Sequence, residues 1–586
     1  MAHDPSDPRN SPGSRNSLDS RDSLLRHGSS LGLLTLASRV LGLAREMTKA
    51  ALLGTSALSD AFSVAFMIPN LFRRLFAEGS IAVAFIPTFK SYLIDNDEQK
   101  TKEFLHCFFT FLSFLVSIAC AIGIWVAPLV IPLFGFDDAA VFSETVLLTR
   151  VMFPFLAFIS IAAFFQGILN SVHVFAPSGF APVLLNIVTI ASAWFLKDST
   201  ANPARALAIG IVAGGFLEAA VQAPFVWKKG FTFFFTGLKK AASNPGTRQV
   251  LRLVGPTVIG MAAYQINDLV STALAGNAGE GVVSSLQYSL RLQELLLGVF
   301  AVSIGTVLLP DLSEHAKKGE WAVFNARLSQ ALEIIALIMI PVTFFALTQG
   351  ETLIRLLFQT RRFDETSVAL TLAAFNCHIC GLYCIALNRV LAPAFYAQQD
   401  SASPTIAGIA SFAVNIALAA LLAVRWKGAG IAAALSLSSA VNTVLLFFLL
   451  HKKLATSGAS EKSPRGAFQE SPVASAHGGP PSGEQSRILS PEGGATALPF
   501  RAAPTSPPRQ VAAYTGKITV FSLIAAVPVV LTKAPLTAFF ARITGVRLLQ
   551  NLIPFLAGAL LFAAVGVLLL VATRDRNARA ILRRGK

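Results

Sequence analysis

The stretch SRVLGLARE, residues 38–46, places two arginines in a segment that is otherwise long and apolar enough to cross a bilayer. A second such segment contains PNLFRRLFAEG, residues 69–79, with two adjacent arginines. An ionised guanidinium near the bilayer centre costs at least about 2.5–3.5 kcal/mol on insertion scales. Because several such charges lie close together, we expect them to face a wet interior instead of lipid. The two stretches therefore predict a cationic cavity inside a membrane protein, with an anion as its ligand.

Composition supports a polytopic, all-α membrane protein. The chain has 586 residues, of which 54% are hydrophobic and only 14% are charged. Soluble proteins average roughly 45–50% apolar and about 25% charged residues. The excess forms about fourteen apolar runs, each close to the roughly 20 residues that cross a bilayer. The predicted spans lie near residues 31–53, 60–90, 104–134, 146–172, 177–197, 204–228, 250–275, 282–311, 325–349, 366–396, 402–424, 428–452, 516–541 and 546–573.

Lysines and arginines gather in the connections that follow the even-numbered spans, as in residues 228–252 and 574–586. Basic loops stay in the cytoplasm, so both termini are predicted to be cytoplasmic. The connection after the ninth span, with Arg355, Arg361 and Arg362, does not fit this pattern. No cleavable signal peptide is expected, because residues 1–30 lack an apolar core. The net charge of +16 suits contact with anionic membrane lipids, and nucleic-acid binding is not expected.

An internal repeat divides the chain. AALLG ends at Gly54 and TALAG at Gly276, and the same offset of 222 residues relates Pro182 to Pro404. An even number of spans separates the copies, so the repeat is parallel, and two six-helix lobes should enclose a cavity near the bilayer midplane. The predicted units are a disordered tail (1–30), the N-lobe (31–228), an inter-lobe linker (229–249), the C-lobe (250–455), a disordered Pro/Ser/Gly-rich cytoplasmic loop (456–515), a last helix pair (516–573) and a basic tail (574–586).

Arginines are the candidate ligands of the anion. The guanidinium fork matches two phosphate oxygens at once, so arginines that converge from separate helices would suit a diphosphate. Local ion pairs that only fasten helices are the competing interpretation, because residues three or four apart on a helix are neighbours. The pairs in question are Arg74 with Glu78, Arg291 with Glu294, and Arg45 with Glu46 or Asp60.

Asp268 is an intramembrane acid, and in the repeat it occupies the place of Glu46. With Asn267 it could form a coupling-ion site, or it could belong to a polar cluster that packs helices. Free cysteines behave as small buried hydrophobes, so the cysteines near His378 are interpreted as packing and no metal site is predicted. These cysteines are Cys377, Cys380 and Cys384.

Four stretches, residues 38–45, 60–62, 69–79 and 391–400, resemble the MviN/MurJ-type lipid II flippases of the multidrug/oligosaccharidyl-lipid/polysaccharide exporter superfamily. The resemblance implies two six-helix lobes plus two C-terminal helices whose groove can hold a lipid tail. It also implies an activity required for cell-wall synthesis and cell shape. By alternating access, such a transporter moves lipid II (undecaprenyl-diphosphate-MurNAc-pentapeptide-GlcNAc) to the periplasmic leaflet of the bacterial inner membrane.

The resemblance also implies residue roles. The positions implied to bind substrate are Ser38, Arg39, Arg45, Asn70, Arg73 and Arg291. Gating or structural polar positions are Asp60, Arg74, Glu78 and Glu294. No cofactor is implied, and the membrane potential or a monovalent cation would drive the cycle. Ser271 stands where some relatives place an acid of a sodium site, which leaves Asp268 and Asn267 as the substitutes.

Three other functions stay open at the level of sequence. The chain could export another lipid-linked oligosaccharide, or it could be a cation-coupled drug antiporter. An antiporter would need a cavity dominated by carboxylates, whereas the motifs here are rich in arginine. A channel or a scaffold without transport is the third, and the linker would suit cell-wall synthesis proteins as partners. No nucleophile–base set, metal-ligand spacing or phosphate-binding glycine loop supports an enzyme.

Overall fold

The computed structural model describes residues 12–75, 84–461 and 507–579, and all regular structure within these ranges is helical. The first lobe contains α1 (Pro12–Leu53), α2 (Ala57–Arg73), α3 (Ile86–Ile94), α4 (Glu98–Val130), α5 (Ala139–Met152), α6 (Pro154–Ser171), α7 (Ala176–Leu196) and α8 (Pro203–Lys228), with a 3-10 turn at Ile131–Phe134. The remaining helices are α9 (Leu238–Ser243), α10 (Pro245–Asn277), α11 (Val282–Lys318), α12 (Trp321–Phe358), α13 (Glu365–Cys380), α14 (Leu382–Tyr396), α15 (Ala402–Glu461), α16 (Pro507–Ile543) and α17 (Arg547–Ala572).

Each predicted span is covered wholly or partly by helix, but the number of spans is not confirmed as fourteen. In the described parts of the chain, eight helices are long and apolar enough to cross a membrane. The number is nine if α13 and α14, which meet at a bend of 42°, count as one span. The helices α1, α2, α10 and α11 are not among them, and these are the helices that carry the charges singled out above.

Helix extends into segments that were predicted to be disordered. α1 begins at Pro12, inside the predicted tail, and α15 continues to Glu461. α16 begins at Pro507, so only residues 462–506 of the predicted loop lie outside the described residues. The predicted spans 402–424 and 428–452 are two helical segments of α15 that meet at a kink, where Lys427 has the non-helical angles φ 46° and ψ −126°. Apolar periodicity marks where a helix crosses the bilayer, but it does not show where the helix stops beyond it.

Each lobe has its own apolar core. In the first lobe a cluster of phenylalanines joins α3, α4 and α6, with Phe85 and Phe104 fully buried. In the second lobe, α11 to α15 meet around residues such as Phe358 and Phe375. α16 and α17 pack on α12 through a smaller cluster around Phe562. A further cluster joins the lobes, because Val64 and Phe134 of the first pack with Val282 of the second.

The lobes meet at one face through two glycines that the repeat had paired. A side chain on Gly54, at the end of α1, would collide with the backbone carbonyl of Arg362 in the other lobe. A side chain on Gly276, at the end of α10, would collide with the carbonyl of Phe134. Equivalent helix ends therefore make equivalent contacts across the pseudo-symmetric interface. We call this region the closed face: residues 54–60, 133–138, 276–288 and 359–367.

Replacing Gly276 by alanine should loosen the closed face, because the added Cβ meets backbone that cannot rotate away. Overpacking of this kind costs about 1–3 kcal/mol. We expect a lower midpoint of thermal unfolding in detergent and faster hydrogen exchange in residues 276–284. Gly516→Ala on α16 is the matched control, because its Cβ meets open space. Equal stability of the two variants would contradict the close contact.

Candidate functional site

A cavity of about 760 Å³ lies between the lobes. Helices α1, α2, α6, α7 and α8 of the first lobe and α10, α11, α13 and α15 of the second contribute to its wall. Among the described residues, this wall contains four arginines and four carboxylates. They are Arg45, Arg73, Arg74 and Arg291, with Glu46, Glu218, Asp268 and Glu294. The expected excess of arginine is therefore not seen in the described wall, where the arginines stand among acids.

Arg45 and Glu46 form an ion pair inside the cavity, with 3.0 Å between Nη2 and Oε1. The other oxygen of Glu46 lies 4.0 Å from the ammonium of Lys49, one turn further along α1. The Arg45 guanidinium also lies 5.9 Å from the ring centroid of Phe66. The local ion pair that was the alternative to a binding role is thus present. It stands on the cavity wall, where 17% of the Arg45 side chain and 15% of the Glu46 side chain are exposed.

The two arginines of α2 have different partners. Arg73 donates from Nε to Oδ1 of Asn70 at 2.7 Å, which orients its guanidinium. Arg74 lies 3.9 Å from Asp268 of α10, in the opposite lobe. The predicted partner of Arg74, Glu78, lies outside the described residues. The pair that the structure does show for Arg74 crosses the cavity, so it can open when the lobes move.

Arg291 reaches the cavity from the second lobe. It pairs with Glu294 at 3.1 Å, as the three-residue spacing predicted, and both side chains line the cavity. Its guanidinium also packs on Gly42 of α1, where a Cβ would collide with it. Arg291 therefore forms the local ion pair and also lies on the cavity wall.

Three predicted site residues lie elsewhere in the described structure. Arg39 packs its guanidinium on Gly298 of α11, and neither it nor Ser38 lines the cavity. The carbonyl of Ser38 accepts a hydrogen bond from Asn186 at 3.4 Å. Arg39 and Arg45 are six residues apart, so they leave α1 in different directions. The third residue, Asp60, belongs to the closed face.

Asp60 joins the two lobes through backbone hydrogen bonds. Its buried carboxylate accepts the N–H groups of Gly281 and Ser284, each at 2.7 Å, at the start of α11. This caps the N-terminus of a helix in the opposite lobe, where orphan N–H groups and the helix dipole favour a negative charge. Tyr288 adds a hydrogen bond from its hydroxyl to the carbonyl of Gly54 at 3.1 Å. The closed face thus includes polar contacts that can be exchanged, beside the apolar cluster that joins the lobes.

Asn267 belongs to a polar cluster that connects α10 to α15. Asn415 donates to Oδ1 of Asn267 at 2.9 Å and to the hydroxyl of Ser271 at 3.2 Å. Asp268 is directed to Arg74 instead, so the two neighbours have separate partners. Across the described ranges, no group of three or more His, Cys, Asp or Glu side chains is arranged to hold a metal ion. His378 is buried and bonded to Ser289 at 2.6 Å.

The sequence interpretation missed Lys49 and Gln287. Lys49 is buried and donates to Ser63 at 2.7 Å and to Gln287 of the other lobe at 3.1 Å. The available signal was its position three residues after Glu46 in the same apolar helix, the spacing of a helical ion pair. Gln287 carries no charge and lies in a stretch without a motif, so only the packing of α11 against α1 and α2 could reveal it.

Asp60→Ala should weaken the closed face, because two buried N–H groups would lose their acceptor. Unsatisfied buried donors cost about 1–3 kcal/mol each. We expect a loss of unfolding free energy in detergent and faster exchange of the amides of Gly281 and Ser284. Asp97→Ala is the control, since Asp97 caps its own helix α4 through Lys100, lies outside the closed face and should affect only that helix. Unchanged exchange at residues 281–284 in Asp60→Ala would contradict this role.

The comparisons with known proteins agree with one another. The family model "Lipid II flippase MurJ" matches residues 49–463. The chain is 43% identical over 572 residues to a probable lipid II flippase MurJ of Treponema pallidum, which covers 97% of this chain and 99% of that protein. It is 33% identical over 453 residues to the lipid II flippase MurJ of Burkholderia cenocepacia, with 75% and 83% covered.

Two solved structures share the fold. A lipid II flippase MurJ in an inward closed conformation aligns with a TM-score of 0.70 at 21% identity, covering 93% of this chain and 99% of that one. An inward-facing multidrug resistance MATE family transporter of the MOP superfamily aligns with a TM-score of 0.60 at 13% identity, covering 72% and 96%. At these identities the likeness concerns the arrangement of helices alone.

Proposed function

The chain belongs to the lipid II flippase MurJ family, and from this premise we propose which of its residues move lipid II and in which direction. It is a multi-pass membrane protein and a transporter, not an enzyme, and its transport of lipid II serves cell-wall synthesis. One observation carries the proposal: arginines from both lobes stand on one cavity.

The diphosphate of lipid II binds between the lobes, on Arg45 and Arg73 of the first and Arg291 of the second. Each guanidinium can offer two parallel donors to phosphate oxygens. Each also has a partner, Glu46, Asn70 or Glu294, that holds it oriented until the phosphate arrives. Arg39 acts differently in this proposal: it keeps α1 against α11.

We place the closed face on the periplasmic side, which makes this arrangement the inward-facing one of the proposed cycle. Its connections follow the first, third, seventh and ninth predicted spans, and loops after odd-numbered spans are external if both termini are cytoplasmic. Lipid II enters from the cytoplasmic leaflet of the inner membrane with its tail remaining in lipid along α16 and α17. Separation of the lobes at the closed face then exposes the headgroup to the periplasm.

The membrane potential resets the empty transporter. Moving one charge through 100 mV is worth about 2.3 kcal/mol, so displaced arginines respond to it. Lipid II adds negative charge to a wall where arginines stand among carboxylates, so the loaded and the empty transporter move different net charges. A monovalent cation at Asp268 is the other possible source of energy, and that carboxylate lines the cavity with 43% of its side chain exposed.

Arg73→Ala should lower the rate of lipid II translocation in proteoliposomes at least about tenfold, because a hydrogen bond to a charged group is worth about 1.5–3 kcal/mol. Arg45→Ala and Arg291→Ala should act in the same direction. Arg205→Ala is the matched control: Arg205 pairs with Glu144 at 2.6 Å outside the cavity. If all three cavity variants translocate lipid II like Arg205→Ala, the phosphate role is wrong.

Deleting residues 462–506 separates transport from a scaffold function. Every cavity residue and both cores lie outside this segment, so translocation in proteoliposomes should persist at close to the full rate. A loss of translocation in a deletion variant that still folds would show that the segment takes part in transport. Thermal unfolding of the purified variant provides the folding control.

A further inference from the structure

Lys49 is a buried cation just behind the cavity wall. Its ammonium donates to the hydroxyl of Ser63 at 2.7 Å and to Oε1 of Gln287 at 3.1 Å. It also lies 4.7 Å from the ring centroid of Tyr288, and only 4% of the side chain is exposed. Gln287 and Tyr288 belong to α11, so Lys49 ties α1 of the first lobe to the second lobe next to the closed face.

Glu46 stands between two cations. Its Oε1 is bonded to Arg45, and its Oε2 faces Lys49 at 4.0 Å. Arg45 and Glu46 line both the main cavity and a small adjoining cavity of about 30 Å³, whereas Lys49 lines only the small one. Ser63 and Gln287 also line both cavities, so a ligand in the main cavity reaches Arg45 directly and Lys49 through its neighbours, among which Glu46 is the carboxylate.

Binding of a phosphate to Arg45 would leave the carboxylate of Glu46 without its hydrogen-bonded partner. A phosphate that takes the guanidinium removes the hydrogen-bonded counter-charge of a largely buried carboxylate, and an unpaired buried charge is strongly unfavourable. Lys49 is close enough to replace it. Its flexible four-carbon stem allows the ammonium to turn, and the small cavity gives it room.

We propose that Lys49 is a switch residue that takes over Glu46 when the lipid diphosphate takes Arg45, and that it thereby releases Gln287 of the opposite lobe. This inference rests on the proposed function. The ammonium of Lys49 lies 4.0 Å from Oε2 of Glu46 and would approach it to the roughly 2.7–2.9 Å of a charge-assisted hydrogen bond. This movement draws the ammonium away from the amide of Gln287. Occupation of the cavity is in this way converted into loss of a contact between the lobes.

The position of Gln287 carries this change to the closed face. The neighbouring Tyr288 bonds to the carbonyl of Gly54, and Ser284, one turn earlier in α11, donates its N–H to Asp60. Release of Gln287 removes a tie one turn away from these contacts, on the same helix. Lys49 is thus a positioning residue, which acts on the substrate through Glu46 and Arg45.

The first test measures affinity for a fluorescent lipid II analogue with the purified full-length protein in detergent. Lys49→Met should weaken binding at least about tenfold, because Glu46 then retains Arg45. The double variant Lys49→Met/Glu46→Gln should recover the affinity of Glu46→Gln alone, because the amide no longer competes for Arg45. A lysine with only a structural role gives no such rescue, and a double variant as weak as Lys49→Met would overturn the proposal.

Lys453→Met is the control, since Lys453 pairs with Asp400 at 2.8 Å outside the cavity and should leave the affinity unchanged. Lys49→Arg keeps the charge and should retain more of the affinity than Lys49→Met. If the wild type does not bind lipid II, or if Arg45→Ala binds it equally well, the proposed function fails. If the wild type binds lipid II and Arg45→Ala binds it more weakly, but the rescue is absent, only the role of Lys49 fails.

The second test follows hydrogen exchange of residues 278–286 with and without lipid II. In the wild type, lipid II should speed exchange at this part of the closed face. In Gln287→Leu the exchange should already be fast without lipid II, and lipid II at saturating concentration should add little to it. In Lys49→Met, lipid II at saturating concentration should produce no further change. Equal responses to lipid II in the wild type and Lys49→Met would contradict the coupling.

Discussion

A charge inside a bilayer must be solvated, paired or both, and the remainder of this structure depends on that constraint. Arginines in α1, α2 and α11 cannot face lipid without a large cost. They instead line a cavity between two lobes, where carboxylates and amides hold them. Arg74 and Asp268 pair across the cavity, and Arg45 and Glu46 pair within one helix. A phosphate ligand would exchange such pairs for its own, which is why the cavity can bind an anion without a large formal excess of positive charge.

The second requirement is that the lobes separate and rejoin. Their described contacts at the closed face are of two kinds. Polar contacts place two glycines against carbonyls and the carboxylate of Asp60 on two N–H groups. An apolar cluster brings Val64 and Phe134 of the first lobe against Val282 of the second. The polar contacts are exchangeable with water once the face opens, whereas the apolar cluster opposes opening and so favours the closed arrangement. The large apolar cores lie inside the lobes, so each lobe keeps its structure as it moves.

A lipid II flippase needs the opening of its lobes to depend on the binding of lipid II. A transporter that opened outward when empty would use the membrane potential without moving lipid. A residue that detects the loss of a salt bridge in the cavity and releases a contact between the lobes avoids this. Lys49 has the position for that task, since Glu46 lies on one side of it and Gln287 on the other.

The sequence by itself determined the membrane class, the paired lobes and most of the cavity. Charges in apolar helices are visible in the order of residues, and Asn70, Arg45, Arg73, Arg74, Asn267, Asp268, Arg291 and Glu294 do meet at one cavity. Tertiary structure decided which partner each charged side chain has and which predicted site residues lie outside the cavity. Rotation of about 100° per residue turns Arg39 away from the face of Arg45. Ser38 shares that face but lies two turns earlier in α1, where its carbonyl meets Asn186. Helix packing brings Asp60 to α11 and Lys49 to Gln287. Contacts between residues more than two hundred positions apart depend on how helices lie against each other, which local spacing does not encode.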